Sequence, residues 1–247
     1  MIKRILSIVF GFLTFNLLWL ILSFCIQSDV LVSPIEVYRS MGHTVQADMW
    51  KHIAASSMRI FEGLFLSLLI AIPTGLILAN YPKINKICSP LLYFTYPVPK
   101  LALLPVVMLL IGIGEAAKIT MIVLILVFQI IIATRDAVLH IPKEDFHVLT
   151  SLGANKIQLL RWITLPAILP EILTSLRIAI GTAVSVLFFT ETFGTDKGMG
   201  FYIVDSWMRL AYTEMYTGIL ILLLIGFVLF LLIDILEEYT CKWKLNK

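Results

Sequence analysis

"SLGANKIQLLRWITLP", Ser151 to Pro166, is a polar, lightly basic segment set between two of the most hydrophobic stretches of the chain. Where it lies depends on those neighbours. The apolar runs beside it, approximately 117–139 and 169–191, are each long enough to cross about 30 Å of hydrocarbon at roughly 1.5 Å per residue. Four more runs qualify, at approximately 5–26, 58–79, 89–111 and 215–235. In lipid an open strand edge leaves backbone polar groups unsatisfied, so all six are predicted as helices. The spacing therefore predicts an all-α integral membrane protein, a single transmembrane domain over 1–247 with about six spans. The quoted segment falls inside a loop at about 141–168.

Composition agrees. With 60% hydrophobic against 14% charged residues, the chain lies far from the soluble balance. Its net charge of +3 is small and its basic residues are scattered, which gives no footprint for nucleic acid. Cys25, Cys88 and Cys241 show no CxxC spacing, so cysteine suggests neither a disulfide framework nor a zinc site. The first apolar run is longer than a signal-peptide core and no small-x-small site follows it. In "LSFC" bulky Phe24 stands where a lipoprotein site needs a small residue, so the run is expected to remain as a first span.

Orientation follows from where Lys and Arg collect. If Lys3 and Arg4 are cytoplasmic, so are Lys83, Lys86, Arg135, Lys143, Lys156, Arg161, Lys242, Lys244 and Lys247. The outside keeps Arg39, Lys51, Arg59, Lys118, Lys197 and Arg209, mostly in two longer loops. Both termini and the 141–168 loop are expected in the cytoplasm. The outer loop of about 27–57 is too short for a core of its own, though it could form a short surface helix.

Enzyme motifs fail on context. "GIGEAA", Gly112 to Ala117, formally fits a dinucleotide fingerprint but sits between two spans, where glycines are turn residues. No GxxxxGK[ST] or GxSxG occurs, and "GTDKGMG", Gly194 to Gly200, has the wrong spacing for a P-loop. His43, His52, His140 and His147 make no ligand spacing, and neither metal nor cofactor is expected.

The polar loop itself is framed by Pro142, Pro166 and Pro170, with Gly153 in its middle. Proline suits the first turn or edge of a helix, and a glycine with positive φ ends one helix and lets another begin. Two short helices joined at Gly153 are predicted. Phe146, Leu149 and Leu152, then Ile157, Leu160 and Ile163, recur at helical spacing. That periodicity fits equally a helix lying in the headgroups and one that meets a protein.

Gly153, Ile163, Leu165 and Pro166 complete the pattern G-x9-I-x-L-P, which resembles the EAA loop of ABC importer permeases, the element that contacts the ATPase. Two further stretches are similar to the nitrate/sulfonate/taurine/bicarbonate-type branch of that family. They are "YPVPKLALLPVVMLLIGIGEAAKI" (Tyr96 to Ile119) and "LRIAIGTAVSVLFFTETFGTDKGMGFYI" (Leu176 to Ile203). The resemblance implies a type I importer permease whose coupling loop includes Glu144, His147, Leu149, Leu152, Gly153, Ala154, Ile163, Leu165 and Pro166. The chain departs from the family where Glu-Ala-Ala is replaced by His147, Val148 and Leu149; the namesake glutamate is absent and Glu144 lies one turn earlier.

The resemblance further implies a homodimer with two cytoplasmic ABC ATPases that bind the ATP and Mg, an external solute-binding protein, and no enzyme activity in this chain. It places the protein in a bacterial or archaeal plasma membrane, carrying a small solute that could be an anion. Candidate path residues are Tyr96, Pro97, Lys100, Arg177, Gly181 and Glu191. Ionisable groups at membrane depth are costly and default to function. Lys100, between Pro97/Pro99 and Pro105, could meet an anionic solute, snorkel, or pair with Glu62. Arg177 could contact solute or pair with a cytoplasmic-side carboxylate such as Glu171 or Asp136. Glu191 and Arg59 lie near outer ends, as interfacial groups or parts of a gate. Ser175, Ala179 and Ala183, with Gly181 and Ser185, would let helices approach closely, within one subunit or between two. An ion-coupled secondary transporter, the alternative, predicts an inverted repeat and a mid-depth acidic pair, and neither is found in the sequence.

Overall fold

The computed structural model describes residues 2–44, 47–95 and 97–245. Among them regular structure is entirely helical, in the order α1 (Ile2–Ile26), α2 (Pro34–Thr44), α3 (Ala47–Asn80), α4 (Pro82–Thr95), α5 (Leu104–Ile111), α6 (Glu115–Leu139), α7 (Lys143–Ser151), α8 (Lys156–Leu159), α9 (Leu165–Glu191), α10 (Met199–Met208), α11 (Tyr212–Thr240) and α12 (Lys242–Leu245). Five helical stretches are long and apolar enough to cross a membrane: Ile8–Ile26, Asp48–Asn80, Glu115–Leu139, Lys156–Glu191 and Tyr212–Thr240. The span expected over 89–111 is broken. It consists of α4 and, after the 3₁₀ turn Lys100–Leu103, α5, with the two arms bent by 85°. The cause is local: Pro97 and Pro99 offer no backbone N–H and push the residues before them out of the helical region. Tyr96 itself lies outside the described residues.

Helix α3 begins eleven residues before the predicted apolar boundary at 58, because hydropathy marks where lipid contact starts and not where the helix does. Its first turn carries Asp48, which pairs with Lys51 at 2.7 Å. The outer loop holds α2, whose Val37 is wholly buried against the α1 and α11 side of the protein.

The centre of the fold is the α3–α6 pair. Two glycines on α3 let the backbones touch: a Cβ at Gly63 would lie 2.5 Å from Ile122 Cγ2, and one at Gly75 2.7 Å from Thr134 Cβ. Both partners advance along α6 as the glycines advance along α3, so the two helices run parallel. The chain must therefore return across the full height between them, and the bent α4–α5 pair is the segment that does so. Helix α9 runs antiparallel to both, since Glu191 at its end meets Arg59 near the start of α3. Helix α11 reverses again, as Arg177 meets Asp234. Helix α1 opposes α11: Trp19 Nε1 donates to the Val32 carbonyl at 3.0 Å and its ring lies 5.5 Å from that of Tyr216. The start of α1, the α3–α4 turn, the α6–α9 connection and the end of α11 thus share one end of the bundle, called here the loop end. The segments around 27–44, 112–114 and 192–211 form the far end.

Candidate functional site

At the loop end, Pro142 caps α7, which stops at a paired turn: Gly153 N–H donates to Thr150 O at 2.9 Å and Ala154 N–H to Leu149 O at 3.0 Å. This glycine-terminated motif needs a left-handed residue after the cap, and Gly153 has φ +80°. Helix α8 starts at once with a capping box, in which Asn155 Oδ1 accepts from Gln158 N–H and Gln158 Oε1 from Asn155 N–H. A π-helical turn, Leu160–Thr164, joins α8 to α9 without a break.

The loop turns its apolar groups outward. Leu152 is 79% exposed, and Val148, Ile157 and Trp162 are exposed with it. Glu144, His147, Gly153 and Leu165 are exposed, whereas Leu149, Ala154, Ile163 and Pro166 are half-buried. Behind them a hollow of ≈ 460 Å³, lined by Leu76, Asn80, Tyr81, Phe146, Ile157 and Leu160 among others, separates the loop from the end of α3.

Candidate path residues are dispersed. Pro97 is exposed at the break. The Lys100 ammonium lies 5.4 Å from the ring centre of Phe128, about halfway along α6. Gly181 is exposed, with open space where a Cβ would point. It belongs to a stripe on α9 formed by Glu171, Thr174, Ile178, Gly181, Ser185 and Phe189, all exposed. Arg177 does pair with carboxylates near the loop end, but the residues are not Glu171 or Asp136: they are Asp234, at 2.7 Å from Nε, and Glu237, both on α11. Asp136 instead holds its neighbour Arg135 at 2.7 Å.

Of the two readings of Glu191, burial excludes the interfacial one. The residue is wholly buried and lines no open surface in this conformation. Its carboxylate accepts from Arg59 Nη1 at 2.6 Å, from Ser56 Oγ at 2.8 and 2.9 Å, and from Gly200 N–H at 2.8 Å. The same guanidinium donates to both Glu115 oxygens at 2.5 Å and to the Lys197 carbonyl at 2.8 Å. Ser56 Oγ accepts from Met199 N–H at 2.7 Å, and Gly198 N–H donates to His52 Nδ1 at 3.1 Å. Helices α3, α6, α9 and α10 are therefore tied together at the far end by one polar network, buried at Glu191 and Arg59 and open to solvent at Glu115, in which both oxygens of the Glu191 carboxylate accept hydrogen bonds. Alongside it, burial lifts the Tyr202 phenol above its ordinary value, with the Glu214 charge adding to the effect.

Sequence reasoning put Glu191, Arg59 and Glu115 toward the outer side without pairing them, and did not name Ser56. The available signal was "GTDKGMG" directly after Glu191. Its glycines are the ones that admit the carboxylate: a Cβ at Gly198, where φ is +127°, would lie 2.4 Å from the Glu191 carboxyl carbon, and one at Gly200 2.6 Å from Phe188 O. Gly198→Ala is accordingly expected to lower stability by about 2–4 kcal/mol, through strain plus a displaced buried charge. Thermal unfolding of the detergent-purified protein checks this; an unchanged midpoint would contradict it.

Residues 71–240 match the family described as the binding-protein-dependent transport system inner membrane component. The chain belongs to that family. It is an ABC importer permease and a multi-span inner-membrane protein. Relatives of this permease include the taurine transport system permease protein TauC of Escherichia coli, 34% identical over 199 residues covering 81% of this chain and 72% of TauC. The formylaminopyrimidine transport permease protein ThiX of Halalkalibacterium halodurans is 28% identical, covering 88% and 87%. The putative aliphatic sulfonates transport permease protein SsuC of Bacillus subtilis is 27% identical, covering 89% and 80%. Among solved structures, a chain of the inward-facing MetNI methionine ABC transporter superposes with a TM-score of 0.65 at 20% identity, over 78% of this permease and 95% of that chain. A chain of a bacterial alginate-importing ABC transporter gives 0.59 at 17% identity, over 96% and 97%. The fold is that of a type I ABC importer permease.

Proposed function

We propose that this permease works as a homodimer with two cytoplasmic ATPases and an external binding protein, and that ATP-driven closure of the ATPases tips its helices between inward- and outward-facing states. The observation that carries the proposal is the exposed apolar surface of Val148, Leu152, Ile157 and Trp162 on a loop held stiff by two helix caps. Exposed hydrophobic clusters of this kind mark contact sites. Their end of the bundle is also the one where Lys83, Lys86, Arg135, Lys143, Lys156, Arg161 and Lys242 collect, which supports placing it in the cytoplasm. The ATP and Mg belong to the partner in this proposal, and the permease contributes positioning alone.

In the dimer, the exposed stripe of α9 from Glu171 to Phe189 would face the second copy and line the path, and Lys100 would reach that path at mid-depth. The names of TauC and SsuC favour a small organosulfonate as the solute. The test is purification of this chain from its own membranes in mild detergent, with identification of what accompanies it. A stoichiometric P-loop ATPase is the expected companion. Triple truncation of Leu152, Ile157 and Trp162 to alanine is expected to weaken its retention by at least about 30-fold, as loss of an interface anchor does. A chain that purifies alone, with uptake insensitive to ATP depletion and abolished by dissipating the ion gradient, would establish a secondary transporter instead.

A further inference from the structure

The first backbone N–H groups of α10 are capped from two other helices. Gly198 N–H donates to His52 Nδ1 at 3.1 Å, Met199 N–H to Ser56 Oγ at 2.7 Å and Gly200 N–H to Glu191 Oε2 at 2.8 Å. The carbonyl just before them, of Lys197, accepts from Arg59 Nη1 at 2.8 Å. His52, Ser56 and Arg59 follow one another at helical spacing, so a single face of α3 grips the turn and Glu191 of α9 takes the next N–H. Gly198, Met199 and Gly200 are buried. An N–H that loses its acceptor there has no water to replace it.

Of the three acceptors, His52 is the one whose ordinary titration lies near neutral pH. The ring is half-buried, with Phe201 stacked at 6.0 Å and Tyr202 tilted at 5.6 Å, so it is held in place yet open to protons from the far end. A ring nitrogen that accepts carries no proton. Protonating Nδ1 sets N–H against N–H and puts a positive charge at the positive end of the α10 dipole. The Gly198 carbonyl, also 3.1 Å from Nδ1, could then accept, although it already takes Tyr202 N–H at 3.0 Å. Donating to that carbonyl still leaves Gly198 N–H unpaired. The charges around the ring are matched to others: Asp48 to Lys51, Glu191 to Arg59, and Asp205 and Glu214 to Arg209. Asp196 and Lys197 are exposed in the turn, and Tyr202 is the titratable group of α10 against the ring.

We infer that His52 is a proton-operated latch on the far-end clamp: its protonation frees the 197–200 turn from α3 and, through Gly198, slackens the hold on Glu191. The link is steric, since Gly198 lies so close to the Glu191 carboxyl carbon that a Cβ would stand 2.4 Å from it, and the turn cannot shift without disturbing the carboxylate. Acid at the outer surface then favours opening of the far end. That last step rests on the proposal that the loop end is cytoplasmic.

Hydrogen exchange read by mass spectrometry tests the latch in the protein purified from its own membranes in mild detergent. The peptide over 195–206 excludes position 52, so at any one pH its intrinsic exchange is the same in every variant. The comparison is made at about pH 7.5, where imidazole is neutral, and at about pH 5.5, where it is protonated. His52→Gln keeps an acceptor that acid does not remove. Wild type and His52→Gln should exchange alike at the higher pH, and in acid the wild type should be about fivefold faster, the factor one net hydrogen bond is worth. His52→Phe keeps a ring against Phe201 but has no acceptor, and should be fast at both. A wild type level with His52→Gln in acid, or already level with His52→Phe at the higher pH, would overturn the inference. So would an equal acid-induced rise, relative to His52→Gln, in the peptides of α7, which marks general loosening. Should the glutamine variant fail to fold, the gap between wild type and His52→Phe still decides, because it must close in acid. Neither ATP nor solute enters this comparison, and copurification of an ATPase is a separate readout, so the two ideas fail separately.

Discussion

Gly153→Arg is expected to abolish ATP-dependent uptake while membrane insertion and expression stay close to wild type. Three observations combine in that outcome. Gly153 sits at φ +80° in the turn that ends α7, and a side chain in the left-handed region costs about 1–2 kcal/mol. A Cβ there meets nothing within 4 Å, so no steric clash disturbs the rest of the fold. The neighbouring Leu152 is among the most exposed apolar groups of the chain, and an arginine beside it would place a charge in a surface proposed to be covered by another protein. Asparagine tolerates the left-handed region better than other non-glycine residues. Gly153→Asn should therefore keep most of the uptake. Solute uptake into reconstituted vesicles, measured with the amount of ATPase retained on purification, distinguishes the outcomes. Full activity in the arginine variant would remove the loop from the mechanism.

The second large effect lies at the far end. Arg59→Leu leaves the fully buried Glu191 without its ion-pair partner, hydrogen-bonded only by neutral donors and with the Lys118 ammonium as the nearby cation, and breaking a buried ion pair from one side costs about 3–5 kcal/mol. A loss of that size should abolish folded protein at moderate temperature or lower the unfolding midpoint in detergent by many degrees. Adding Glu191→Gln removes the orphaned charge while its one amide oxygen, placed where Oε2 lies, keeps an acceptor for Gly200 N–H and Ser56 Oγ, bonds made in the native protein at 2.8 and 2.9 Å. More than half of the lost stability should return. If the single variant unfolds like wild type, the network is a surface feature and not a clamp.

The parts of this molecule that were legible in sequence are those with local causes. Gly153 between Pro142 and Pro166 announced two short helices with a glycine stop, and the apolar runs announced the membrane helices. The broken third span was half-visible, since Pro97 and Pro99 stand inside the predicted run of 89–111, but nothing local reports that the chain turns there by 85°. What stayed hidden are contacts between distant segments. Arg177 was matched to Glu171, near it in sequence, and to Asp136, whereas its partners are 57 and 60 residues away on an antiparallel helix. Glu191 and Arg59, 132 residues apart, were each placed near an outer boundary by hydropathy. No periodicity reports that Gly63 and Gly75 draw α3 against α6, the approach that also sets Arg59 beside Glu115 at the start of α6.

The continuous helix from Lys156 to Glu191 spans 36 residues, a rod about 54 Å long at 1.5 Å per residue. Its upper tip is pinned by Arg59, and the α3–α6 pair that carries this arginine is locked at two glycine crossings. A rod fixed at one tip pivots there, so a tilt of about 5° sweeps the opposite tip by about 5 Å and hardly moves the pinned one. Movement imposed at the loop is therefore expected to displace the loop end first, working against the Arg177 ion pairs that hold α9 to α11. Opening the far end demands something different: either the Glu191 carboxylate is released, or α3, α6 and α9 swing together as a single block.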